Sequence, residues 1–282
     1  MRKRGIARSI QLFKGFSNEQ DDPTSFYRLL ADDTVTEISR YCELTGARVL
    51  AIGESVYVGD AIGGAGASTL TVEYDWSQIV EHGRRLQNGV QGDVLSLPVF
   101  DATFDIAYTS NVLEHVSDPE QMLGEMVRAV CPGGIVFVSF TNWLSPWGGH
   151  ETSPWHYFGG QRAVRRYQRR HGRLPRNLYG VSLHRLSIKR VLDWAQSNPD
   201  VEILDAFPRY YPHWTWPLVK IPGVRELATW NLALVMRRCA GDARRALTSL
   251  AGTRQVHLPP PPEILTGHPS NGAPVGAWNG GS

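Results

Sequence analysis

Between Arg48 and Phe140 the chain alternates short apolar runs with helix-patterned segments, and nothing else in its 282 residues restricts the fold as much. Arg48-Val49-Leu50-Ala51-Ile52, Ser68 to Val72, Phe104 to Tyr108 and Gly134 to Phe140 read as buried strands. Between the last two lies a well-signalled helix. Asp118 or Ser117 caps it, Pro119 sits in its first turn, and Met122, Leu123, Met126, Val127 and Val130 form its apolar stripe. Pro132-Gly133-Gly134 stops it. Upstream, Asp22-Pro23 starts a helix whose apolar spacing from Phe26 to Tyr41 predicts an end near Leu44. Val201 to Leu204 and Trp230 to Met236 read as two further strands. Strands alternating with helices imply parallel strands joined by crossovers, so the fold class is α/β, doubly wound.

The same pass divides the chain into regions. Residues 1–45 are a basic lead and a helix, with the fold of residues 1–20 left open. Residues 46–240 hold the α/β domain, including an aromatic and basic insertion over 141–200. Residues 241–282 are an extension whose Pro259–Pro262 run and Gly/Asn/Pro-rich end predict disorder beyond about 258. With 42% hydrophobic residues the chain can bury a full core, and a net charge of +2 gives no reason to expect a nucleic-acid partner. Cys42, Cys131 and Cys239 lie far apart, which predicts buried thiols rather than a disulfide or zinc framework. No apolar run is long enough to span a bilayer, and basic Met1–Arg4 lacks the apolar stretch of a signal peptide. The expectation is a cytoplasmic protein, with peripheral contact at a membrane surface as the variant to test.

Ligands in doubly wound sheets sit at the carboxyl ends of the strands where strand order reverses. The first strand runs directly into Gly53, where a glycine allows a tight turn and close approach of a ligand. The second ends at Glu73, where a carboxylate can accept hydrogen bonds from both hydroxyls of a ribose.

On these segments the chain resembles class I S-adenosylmethionine (SAM)-dependent methyltransferases of the type 11 group. Arg48–Gly53 looks like their first motif, and Gly92-Asp93-Val94-Leu95-Ser96-Leu97-Pro98 like the segment that meets the adenine amine. Phe104 to Val116, with its Ser110-Asn111-Val112-Leu113-Glu114-His115 end, is similar to the fourth-strand signature, and Pro132–Gly134 to the turn into strand five. Asp22–Tyr27, Gly148-Gly149-His150-Glu151 and Phe207-Pro208-Arg209-Tyr210 resemble segments of actinobacterial methyltransferase-like proteins. The resemblance implies a mostly parallel seven-stranded sheet, with SAM as cofactor held by Gly53, Glu54, Ser55, Glu73, Tyr74, Asp93, Val94, Ser110 and Asn111. The chain departs from the family in its glycine loop, which keeps Gly53 and then places Glu54, Ser55, Val56 and Tyr57.

Methyl transfer from a sulfonium needs alignment and exclusion of water, and a hydroxyl acceptor also benefits from a general base. His115, His150 and His156 are the candidates. They do not read as a metal site, because His150 and His156 lie in a Gly/Pro-broken stretch without a ligand-spaced cluster. Aromatic residues crowd 143–158 and 210–216, and ten Arg and Lys residues lie between Arg162 and Arg190. Together they suggest a small-molecule or lipid-linked acceptor of anionic character. The function expected is SAM-dependent O-methylation. The alternative is a non-catalytic protein of the same fold that binds an anionic glycan or lipid. A nicotinamide oxidoreductase is disfavoured, because Gly63-Gly64-Ala65-Gly66 ends a helix rather than following a strand. The acceptor's identity and the oligomeric state are not legible.

Overall fold

Side chains alternate across a strand, so a strand that is apolar at successive positions must be covered on both faces. β1 (Arg48–Ile52) is buried at every position after Arg48. In the computed structural model, which describes residues 5–17, 23–53, 56–74, 80–81, 84–85 and 88–239, it lies in the interior of a seven-stranded sheet. β2 (Ser68–Glu73) and β5 (Gly89–Gln91) extend the sheet on one side of β1. β6 (Phe104–Ser110), β7 (Val130–Thr141), β9 (Asn231–Arg238) and β8 (Val201–Pro208) extend it on the other, in that order. All neighbouring pairs are parallel except those made by β9, which runs against both β7 and β8. A separate ribbon pairs β3 (Val80–Glu81) with β4 (Arg84–Arg85).

The two faces make two cores. On one, Leu50, Ile52, Ala107, Val136 and Val138 pack with Met122, Leu123 and Met126 of α4 (Pro119–Ala129) and Ile188 and Val191 of α6 (Ile188–Ser197). On the other, Val49, Ala51, Tyr108 and Phe137 pack with Ala31 and Ile38 of α2 (Pro23–Ile38) and Val58 and Ile62 of α3 (Val56–Gly64). The sheet is therefore doubly wound, as the alternation predicts. α4 starts where its signals place it: Asp118 Oδ1 accepts from the Gln121 amide at 3.0 Å, and Pro119 opens the helix. α5 (Gly160–His171) belongs to the insertion, and α7 (Val224–Ala228) precedes β9.

Residues 6–17, whose fold the sequence leaves open, form a helix, α1, which Arg8 clamps to the domain through Asp33 at 2.6 Å while Phe13 packs edge-on against Tyr211 and Trp230. Three expectations are corrected. α2 ends at Ile38 rather than Leu44, because tight turns closed by Tyr41 and Ala47 amides bring the chain back to β1. Pro132–Gly134 does not stop α4. The helix is over by Ala129, Val130 already pairs with Phe104, and the Pro-Gly-Gly is an irregularity before Ile135 pairs with Ile106. The cysteines are half-buried rather than buried. Asp22 and the segment beyond residue 258 lie outside the described residues.

Candidate active site

Strand order reverses between β1 and β6, so the carboxyl ends of these strands and of β2 form the crevice edge. Gly53 leaves β1 with φ of +65°, and its amide donates to Val72 O at 3.0 Å, tying it to the end of β2. A Cβ at Gly53 would lie 2.4 Å from Val112 Cγ2, so only glycine lets the first loop close against Val112, the second residue past β6. Glu73 ends β2 and is buried, while Tyr74 beside it is exposed. The Gly92 amide donates to Glu73 O at 2.9 Å, placing Asp93 next in the row. Asp93 is exposed and turns its Oδ1 to the Leu95 amide at 2.9 Å, while Val94 is buried beneath. The set expected for an adenosine thus stands on three adjacent strand ends. Glu54 and Ser55 lie outside the described residues.

At the end of β6 the side chains turn inward. Arg209, fully buried after β8, donates through Nη1 to Ser110 Oγ and Ser139 Oγ, and through Nη2 to Thr34 Oγ1 at 2.7 Å. Asn111 takes φ of +56°, and its Oδ1 accepts from Asn231 Nδ2 at 2.7 Å. Ser110 and Asn111 therefore fix the geometry of the strand end through these bonds. Asn111 Nδ2 has only a long contact, 3.4 Å, with Ser110 Oγ.

One turn further on, Glu114 and His115 meet His150, and one ligand atom of each lies within 4.8 Å of the other two. Glu114 is buried. Its Oε1 accepts from the Thr141 amide at 3.0 Å, and its Oε2 has no partner. His115 Nδ1 stands 2.6 Å from Ser182 O and so carries the hydrogen, which in the neutral ring leaves Nε2 as the acceptor atom. His150 Nε2 is buried without a partner. Leaving such groups unmet costs about 1–3 kcal/mol each. Burial, and next the neighbouring His115, push His150 down to about 4, so its ring is neutral at pH 7. Burial raises Glu114 above the usual carboxylate range against the pull of His115.

The loop that presents His150 is built on Gly148 and Gly149. Added Cβ atoms there would lie 2.1 Å from Trp143 O and 2.5 Å from His156 Cβ, so the loop can pack this closely only with glycine. His150 itself takes φ of +48°. Left-handed backbone at a non-glycine residue is strained and tends to occur where function requires it. His156 stands apart from the cluster. Its Nε2 lies 3.1 Å from Ser145 O, its Nδ1 3.3 Å from Ser153 Oγ, and its ring packs against Trp143. Both nitrogens are engaged, so His156 supports the loop and has no free position for a general base.

Residues 56–138 match the methyltransferase domain family. An uncharacterized methyltransferase of Mycolicibacterium vanbaalenii is 40% identical over 246 residues, covering 83% of this chain and 95% of that protein. One of Mycobacteroides abscessus is 40% identical over 249 residues, covering 82% and 94%. The chain belongs to this methyltransferase family. Its fold also matches the crystal structure of an S-adenosylmethionine-dependent methyltransferase from Mesorhizobium loti, with a TM-score of 0.50 and 15% identity over 72% of this chain and 96% of that one.

Sequence reading of the methyltransferase missed Glu114, Arg209 and Asn231 as site-forming residues. The Leu113-Glu114-His115 triplet directly after a strand at the switch point was a usable signal for Glu114. Arg209 sits among aromatic residues and passes for surface charge, and only the pairing of β8 with β9 carries it under the end of β6.

Proposed function

We propose that this methyltransferase moves the methyl group of SAM to an oxygen of a small-molecule or lipid-linked acceptor. SAM, when bound, supplies an electrophilic methyl on a sulfonium. The observation that carries the reading is the row Gly53, Glu73 and Asp93 on adjacent strand ends. In this reading Glu73 would accept hydrogen bonds from the ribose hydroxyls and Asp93 from the adenine amine. Arg209, Ser110 and Asn231 hold the end of β6 rigid, which favours alignment of the reacting groups. His115 and His150 present lone pairs beside a buried carboxyl group, an arrangement suited to a hydroxyl that must lose its proton.

The acceptor side is basic and aromatic. Arg162, Arg165, Arg166, Arg169 and Arg170 are exposed on α5, and Arg166 lies 3.7 Å over the ring of Trp155. Phe158 and Trp214 are exposed nearby in sequence and across the connection before β9. These features favour an anionic acceptor or an anionic surface. No helix among the described residues is long and apolar enough to cross a membrane.

Calorimetric titration with SAM and S-adenosylhomocysteine tests the donor site. Micromolar binding that falls at least about tenfold in Glu73→Ala is expected, a loss of about 1.4 kcal/mol or more. Failure of the folded protein to bind either ligand would return the non-catalytic alternative to first place. Changing Arg165, Arg166, Arg169 and Arg170 to Gln should weaken binding to anionic liposomes, and unchanged binding removes the anionic-acceptor reading.

A further inference from the structure

Three converging donors are more than a general base requires. We infer that Glu114, His115 and His150 form a binding site for a divalent transition-metal ion whose open positions hold the acceptor oxygen, a role for the ion that rests on the methyl-transfer reading above.

Each donor arrives with a ligand atom unspent. Glu114 gives Oε1 to the Thr141 amide and keeps Oε2, which is buried and unpartnered. The Ser182 carbonyl takes the Nδ1 hydrogen of His115 and thereby fixes the tautomer that offers Nε2. His150 Nε2 is buried with no partner. A carbonyl behind a histidine and an amide behind a carboxylate are the supports that orient metal ligands. Around an ion with ligand bonds of about 2.0–2.2 Å, neighbouring ligand atoms sit roughly 3–3.5 Å apart. The observed ligand atoms lie within 4.8 Å of one another, so holding an ion requires them to draw together by roughly 1–2 Å.

The donor set selects the ion and its job. Two imidazoles and one carboxylate suit zinc, iron, cobalt or manganese, whereas magnesium and calcium prefer oxygen throughout. Three protein ligands leave coordination positions open, which is the pattern of a catalytic rather than a structural site. The backbone is also committed to it, since His150 is held at φ of +48° by a double-glycine loop. Glu114 and His115 follow β6 at the switch point, on the same strand end as Asn111.

The chemistry balances without a further reactant. An alcohol or phenol bound to the ion becomes more acidic and releases its proton to solvent. The oxygen lone pair forms the bond to the methyl carbon as the carbon–sulfur electron pair returns to sulfur. A methyl ether and a neutral thioether result.

The test is titration of chelator-treated protein with CoCl2, followed by visible absorption, and with ZnCl2, followed by calorimetry. One ion per chain is expected, with uptake weakened about 100-fold or more in both His150→Gln and Glu114→Gln and retained in His171→Gln, which changes an exposed histidine at the end of α5. Azide added to the cobalt form should shift its visible bands. Absence of stoichiometric uptake by the folded wild-type chain overturns the site, as does uptake unchanged in both ligand variants. Bands indifferent to azide overturn the acceptor-holding role. No SAM is present in these titrations, so their failure is distinguishable from failure of the donor site.

Discussion

Two buried polar clusters flank the end of β6, and they are finished to different degrees. Around Arg209, Thr34, Ser110 and Ser139 all bond the guanidinium, Arg8 donates to the Arg209 carbonyl at 3.1 Å, and Asp33 accepts from Arg8. Only Arg209 Nε is left over. Around Glu114, the atoms that support the cluster are bonded, while Oε2 and His150 Nε2, the atoms that meet inside it, are not. A cluster that spends its hydrogen-bonding capacity internally serves the fold. One that keeps a converging remainder has capacity for something outside the chain.

Three substitutions sharpen or break this contrast. Arg209→Met should have the largest effect on stability, a loss of about 3–5 kcal/mol by urea denaturation, because it removes three buried hydrogen bonds from a charged donor at once. A loss below about 1 kcal/mol would mean that the network does not hold the strand end. Gly149→Ala comes next, at about 1–3 kcal/mol, since the new methyl meets His156 Cβ at 2.5 Å. It should also displace His150 and lower cobalt uptake; normal uptake would show that the loop does not set the position of His150. Glu114→Gln should cost least, staying within about 1 kcal/mol of the metal-free wild type, because an amide oxygen can still accept from Thr141 without a buried carboxyl left over. A penalty as large as that of Arg209→Met would place Glu114 among the structural groups and erase the distinction.

The sheet was legible because its signals are local. Four apolar positions after Arg48 specify β1, and Asp118-Pro119 specifies the start of α4 within a single turn. The positions of Gly53 after β1 and of Glu73 at the end of β2 could be read from their strands, whereas Asp93 came only from the family resemblance, because the three-residue β5 before it carries no strand signal. α1 was not legible, because Phe13 and Arg8 gain meaning only against Trp230, Tyr211 and Asp33. The Glu114–His115–His150 cluster was hidden for the same reason. His150 stands in a broken loop with no helical or strand spacing to relate it to His115, and the carbonyl that sets the His115 tautomer belongs to Ser182. Spacing along the chain reveals ligands on one element, whereas here three separate segments converge.

The antiparallel strand β9 has a consequence for how the molecule is made. It lies between β7 and β8, yet it follows both in the chain, so β8 has no partner in the sheet until residues 231–238 have left the ribosome. Until then Arg209 lacks the Asn231 carbonyl that receives its amide, and Asn111 lacks the Asn231 side chain. Domains generally fold as units during synthesis, from the N-terminal side. In this enzyme the last of the described strands to emerge is an interior one, and the geometry of the strand end beside the switch point is completed by the same event that closes the sheet. A nascent chain halted before Asn231 would carry nearly every residue of the site and still have no active site.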